Sequence, residues 1–207
     1  MRTVLAFGDS NTWGLIPDPS RHERFPWGIR WTSILQEKLP ECRIIEEGLC
    51  GRTTVFEDAL RPGRRGLSSL PAILESQSPL DAAILMLGTN DCKTVYGASA
   101  YTIGKGIELC LDILESYIEP SKILLISPLH LGGDVWRPEK DPEFDIHSVE
   151  VSNELKDIYQ DIALRRGNDF LAASDHVTVS SVDDEHMDEA GHRLFAQIVY
   201  DKLVSLV

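Results

Sequence analysis

The stretch Val4-Leu5-Ala6-Phe7-Gly8-Asp9-Ser10-Asn11-Thr12-Trp13-Gly14 decides how this chain is read. An unbroken apolar run stops in a small, polar turn bracketed by Gly8 and Gly14. A buried strand that ends so abruptly presents a hydroxyl, that of Ser10, at the rim of a sheet. Leu87-Gly88-Thr89-Asn90-Asp91 repeats the pattern, and Asp183-Asp184-Glu185-His186 stands just before the last helical pattern. The three segments offer a nucleophile, an amide donor and an acid–base pair, all on loops.

Outward from these turns, short apolar runs alternate with helical periodicity. Strands are expected at 3–7, 42–46, 82–87, 122–127 and 169–172. The runs at 82–87 and 122–127 are almost continuous in Ile, Leu and Ala, which suits central parallel strands covered on both faces. Helices are expected at 29–39, 67–77, 100–118, 148–166 and 189–205. Ile103, Ile107, Leu111, Leu114 and Ile118 form one stripe of the third helix, and Leu194, Ile198 and Leu203 are expected to do the same in the last. This alternation predicts a three-layer α/β/α sandwich on a five-stranded parallel sheet in the flavodoxin-like order 2-1-3-4-5, as one domain over 1–207. In such a sheet the turns after strands 1, 2 and 3 (Gly8 to Ser10, Gly48 to Arg52, Gly88 to Asp91) share one edge. Two long loops, 14–28 and 128–147, are expected to be binding elements at that edge.

The composition is that of an ordinary globular protein, 43% hydrophobic, with a net charge of −13. That acidity repels phosphate backbones and anionic lipid, so neither nucleic acid nor membrane is expected as a partner; its simplest role is solubility. Few apolar residues precede Gly8, too few for a secretory signal core, and no run is long enough to span a membrane. Cys42, Cys50, Cys92 and Cys110 lack CxxC spacing and read as reduced thiols of a cytoplasmic protein. No metal-ligand cluster and no phosphate-binding glycine motif is present, so neither metal nor cofactor is expected.

With these motifs in place, the chain resembles the SGNH, or GDSL, hydrolase family. Gly8-Asp9-Ser10 is similar to its first block, Gly51 to its second, Gly88-Thr89-Asn90-Asp91 to its third and Asp183-x-x-His186 to its fifth. Arg30-Trp31-Thr32, the run from Glu46 to Thr54, and Leu87 to Asp91 further resemble the bacterial arylesterase/acyltransferase branch. The resemblance implies action on short acyl or aryl esters, acyl transfer to alcohols, and a homo-oligomer, octameric in some members. Asn11 departs from the family pattern, which has Leu there.

Ester cleavage needs a nucleophile, a base and donors for the developing oxyanion. Ser10 is the expected nucleophile, His186 the base and Asp183 the group that orients it. The side chain of Asn90 and the backbone N–H groups of Ser10 and Gly51 are the expected oxyanion donors. Alone, Ser10 would read as a cap and Asn90 as a turn residue; their company changes the balance. Asp184 competes with Asp183, and His22, His130, His147, His176 and His192 compete with His186, His192 as a surface or packing residue. Asp9 and Asp91 are expected to brace their turns, and Trp13, Leu15 and Trp136 to wall the substrate pocket. Three functions fit: a serine esterase on small-molecule esters, a carbohydrate acetylesterase or thioesterase with the same machinery, and a catalytically silent flavodoxin-like binding module.

Overall fold

The computed structural model describes residues 1–207. Five strands, β1 (Arg2–Gly8), β2 (Cys42–Gly48), β3 (Ala82–Met86), β4 (Ile123–Ser127) and β5 (Asp169–Ala172), form one parallel sheet in the order β2-β1-β3-β4-β5. The helices are α1 (Ser10–Trp13), α2 (Trp31–Lys38), α3 (Gly66–Gln77), α4 (Ala100–Glu115), α5 (Ile146–Arg166) and α6 (Glu189–Leu203). The expected order and element types hold, with boundaries moved by a few residues.

The period-two alternation of strand side chains divides the core. Leu5, Phe7, Leu85 and Leu125 face one way and pack with α3, α4 and α5. Val4, Ala6, Ile84, Leu124 and Ile126 face the other way and pack with α2 and α6. Every residue of β3 and β4 is buried, the reason those runs carry no polar alternation. In α4 the stripe of Ile103, Ile107, Leu111 and Leu114 is buried as expected. In α6 the expectation holds for Leu203 and in part for Ile198, which packs against the core, but Leu194 is 49% exposed, and the buried face is Phe195, Ala196, Val199 and Leu203 with His192. Spacing by four residues from Phe195 sets this face, and Leu194 lies a helical step away from it. No helix is long and apolar enough to cross a membrane.

Glu46, near the end of β2, fixes the approach to α2. Its carboxylate accepts two hydrogen bonds from Arg30, at 2.9 and 3.0 Å, and one from the Thr32 hydroxyl. Burial works against the charge, but the Arg30 and Thr32 bonds outweigh it and hold the carboxyl below its ordinary pKa. Arg30 also donates to the Phe25 carbonyl at 2.9 Å, so the same ion pair ties down the 14–28 loop. Removing Glu46 would leave the buried Arg30 guanidinium without its counter-charge. Glu46→Ala is expected to lower unfolding free energy by about 3 kcal/mol in urea titration; a loss under about 1 kcal/mol would contradict this role.

Candidate active site

The sheet order reverses between β1 and β3, and ligands of open α/β sheets bind beyond the strand ends at such a point. Ser10 leaves β1 there and is the first residue of α1. Asp9 caps that helix, its side chain accepting from the Asn11 N–H at 3.0 Å. Gly8 is required: a Cβ there would lie 2.1 Å from the Thr12 hydroxyl and 2.9 Å from the Met86 carbonyl. The Ser10 N–H opens the helix and so has no intrahelical acceptor.

His186 arrives from the loop before α6. Its Nε2 lies 2.8 Å from Ser10 Oγ, and its Nδ1 2.7 Å from Asp183 Oδ2. The other Asp183 oxygen accepts from the backbone N–H groups of Glu185 and His186, both at 3.0 Å, so this carboxylate shapes the turn as well as the ring's orientation. Asp184 turns the opposite way. It has a φ of 59°, and its carboxylate accepts from Lys140 Nζ at 2.7 Å and the Asp134 N–H at 3.1 Å, anchoring the 128–147 loop. All four members of this group, Ser10, Asp183, Glu185 and His186, are buried.

Burial would drive the proton off His186, but the nearby Glu185, Asp183 and Asp9 carboxylates outweigh it and raise the imidazole's pKa above the ordinary value. On Asp183, burial opposes the charge and the His186 contacts win, holding that carboxyl low.

Two more turns complete the edge. Asn90 follows β3, and its Nδ2 donates to the Arg52 carbonyl at 3.2 Å, leaving one N–H uncommitted. Gly51 follows β2 with a φ of 80°, a left-handed conformation suited to glycine. Asp91 binds these two turns together by accepting from the Thr54 N–H at 3.0 and 3.1 Å and from its hydroxyl. Cys50 is buried and its thiol is pushed up to about 12, so it is not a thiolate.

These groups open on a cleft of about 200 Å³ whose apolar lining is confined to Leu15, Ile16, Pro19 and Cys50. The volume suits a small substrate. Leu15 lines it, but Trp13 and Trp136 do not. Trp13 lies behind the lining residue His22, stacked on it with centroids 5.4 Å apart. Trp136 is 41% exposed and donates to the Gly133 carbonyl, outside the cleft. From the 128–147 loop it is Lys140, Asp141 and Glu143 that face the cleft, with Arg61 and Lys93 from other turns. His192 is buried; its Nδ1 accepts from the Trp31 N–H at 3.3 Å. His130, His147 and His176 are not among the lining residues. No cluster of three or more His, Cys, Asp or Glu side chains is placed to hold a metal ion.

Sequence reading missed two residues of consequence. Glu185 sits on the cleft wall beside His186, marked in sequence only by its position next to that histidine. Asn11, which in sequence shows only as a departure from the family pattern, donates its side-chain N–H to the Glu185 carbonyl at 3.2 Å and accepts from the Met187 N–H at 3.0 Å. It clasps the histidine loop to the serine turn.

The chain belongs to the GDSL-like lipase/acylhydrolase family, whose model matches residues 6–194. No curated protein matches the chain significantly. Among solved structures it is similar to the aryl esterase of M. smegmatis, with 29% identity, a TM-score of 0.92 and full coverage of both chains at 100%. It is likewise similar to Est24, a carbohydrate acetylesterase from Sinorhizobium meliloti, with 32% identity, TM-score 0.92 and 100% coverage of both chains. A putative arylesterase from Agrobacterium tumefaciens str. C58 has 31% identity, TM-score 0.89 and 100% coverage of both.

The charge cluster generates one expectation. An NMR titration of the His186 ring should give a midpoint above the ordinary value of about 6.5, falling in Glu185→Gln. Only neutral imidazole accepts a proton, so activity that depends on it should rise on the alkaline side of that midpoint. A midpoint unmoved by Glu185→Gln would contradict the assigned cause.

Proposed function

We propose that the protein is a serine esterase that cleaves small carboxylic esters through an acyl-enzyme. The hydrogen-bonded line Ser10–His186–Asp183, at 2.8 and 2.7 Å, is the observation that carries this reading. Ser10 Oγ attacks the ester carbonyl while His186 Nε2 takes its proton, and Asp183 stabilises the resulting imidazolium. The oxyanion is met by the N–H groups of Ser10 and Gly51 and by the free N–H of Asn90. His186 then hands its proton to the leaving alcohol, and water, deprotonated by the same ring, releases the acid. An alcohol in place of that water gives acyl transfer, favoured where the site positions it and keeps water scarce.

Its structural similarity to an aryl esterase and a carbohydrate acetylesterase supports the ester class. The polar cleft favours the second kind of substrate, a hydroxyl-rich ester, over a purely hydrocarbon one. A silent binding module gives no reason for a serine, a histidine and a carboxylate to be hydrogen-bonded in line inside a cleft.

We propose further that the chain self-assembles. Trp27 on the 14–28 loop and Trp136 and Ile146 at the 128–147 loop are 56%, 41% and 59% exposed, apolar surface that a second copy of the chain would cover. Four free, buried cysteines suit a cytoplasmic setting.

Ser10→Ala should fold normally and lose hydrolysis of a short acyl ester by roughly 10⁵–10⁶-fold. Asn90→Ala should lose about 10²–10³-fold, since the backbone donors remain. More than a tenth of wild-type turnover in Ser10→Ala would overturn the assignment. Light scattering should return a multiple of 23.1 kDa; a monomer at micromolar concentration would refute the assembly.

A further inference from the structure

Glu185 has no part in the chemistry described above, yet it stands at its centre. The residue is 6% exposed and lines the cleft, with Oε1 3.6 Å from His186 Nε2, too long for a hydrogen bond. Its backbone is pinned at both ends: the N–H donates to Asp183 and the carbonyl accepts from Asn11. Its carboxyl accepts no hydrogen bond from the chain, although each backbone group beside it is used. The charged groups facing it are His186 and Asp183 from its own loop, Lys93 from the turn after β3 and Asp141 from the 128–147 loop. Burial pushes its pKa up to about 7. Its oxygens face the cleft rather than the sealed interior, so a donor supplied by a bound molecule can reach them.

The position says where on the molecule that donor lies. His186 Nε2 must come within hydrogen-bond reach of the leaving oxygen to protonate it. Glu185 Oε1 flanks the same nitrogen, so the first carbons of the leaving alcohol pass in front of it. We propose that Glu185 is a specificity-determining residue that accepts a hydrogen bond from a hydroxyl on the carbon next to the ester-bearing carbon of the alcohol. The substrates are then partly acylated vicinal diols, the chemistry shared by glycerol and sugar esters. The inference rests on the reading of Ser10 and His186 given above. The same contact would seat a diol as acyl acceptor.

The test compares 2-hydroxyethyl acetate with propyl acetate. They share the acyl group and the chain length and differ in a terminal hydroxyl against a methyl. With each rate corrected for its uncatalysed alkaline hydrolysis, wild-type kcat/KM should favour the hydroxy ester by roughly 10–100-fold, the range for a hydrogen bond to a charged group. Glu185→Leu should bring the ratio to about one or reverse it. Glu185→Gln, of the same shape and still an acceptor, should give an intermediate ratio. A wild-type ratio near one, a ratio preserved in Glu185→Leu, or equal losses on both esters would overturn the proposal, the last by limiting Glu185 to its effect on His186. Ser10→Ala serves as the control: full activity on both esters there would sink the underlying nucleophile reading instead.

Discussion

One side chain joins the two parts of the chain on which the site depends. Asn11 follows the serine directly, and its amide holds both the Glu185 carbonyl and the Met187 N–H, 174 and 176 residues away. His186 lies between those two backbone groups, so the distance from Nε2 to Ser10 Oγ is set by a clasp one residue from the hydroxyl. Such a contact is expensive to lose, because both groups it satisfies are buried and would be left without partners. Asp183 adds the second constraint. A single carboxylate closes the turn with one oxygen and orients the imidazole with the other. Asp91 plays a similar part on the opposite side, joining the Asn90 turn to the segment after Gly51.

Much of this was legible in the sequence. The runs at 82–87 and 122–127 announce fully buried strands, because only parallel strands covered on both faces dispense with polar alternation. The turns after β1, β2 and β3 are visible because Gly8, Gly51 and Gly88 stand where backbone approaches backbone or takes a positive φ. The spacing of Asp183 and His186 is a local turn and therefore readable, and it separates Asp183 from Asp184, which faces Lys140. What escaped reading depends on distant partners. Trp136 has the size and polarity of a pocket wall, but nothing near it in sequence says that its loop turns Lys140, Asp141 and Glu143 to the cleft instead. Leu194 is as apolar as Phe195; only the packing of α6 against α2 decides which of the two is buried. The start of α5 at Ile146 follows from the reciprocal bonds of Asp145 and Ser148, a cap that periodicity alone did not reveal.

The cleft joins the hydrogen-bonded line Ser10–His186–Asp183 to walls that are polar and charge-paired. Lys93 is bound by Glu143, Lys140 by Asp184 and Arg61 by Asp58, and Arg21 lies beside Asp18 and Glu23, so each cation of the cleft has an acidic neighbour. Among the groups that remain uncommitted is the Glu185 carboxyl, 3.6 Å from His186 Nε2, where the proposed specificity acts. Its charge also reaches His186 and helps to raise the imidazole's pKa.

Whether His186 activates Ser10 can be read from covalent labelling. The protein would be treated with a fluorophosphonate and digested, and the modified peptide sequenced by mass spectrometry. A single adduct on Ser10 is expected, formed rapidly by the native protein and more slowly by roughly a hundredfold or more in His186→Ala, the usual contribution of a positioned general base. Labelling elsewhere, or a Ser10 rate that does not change when His186 is removed, would contradict that activation.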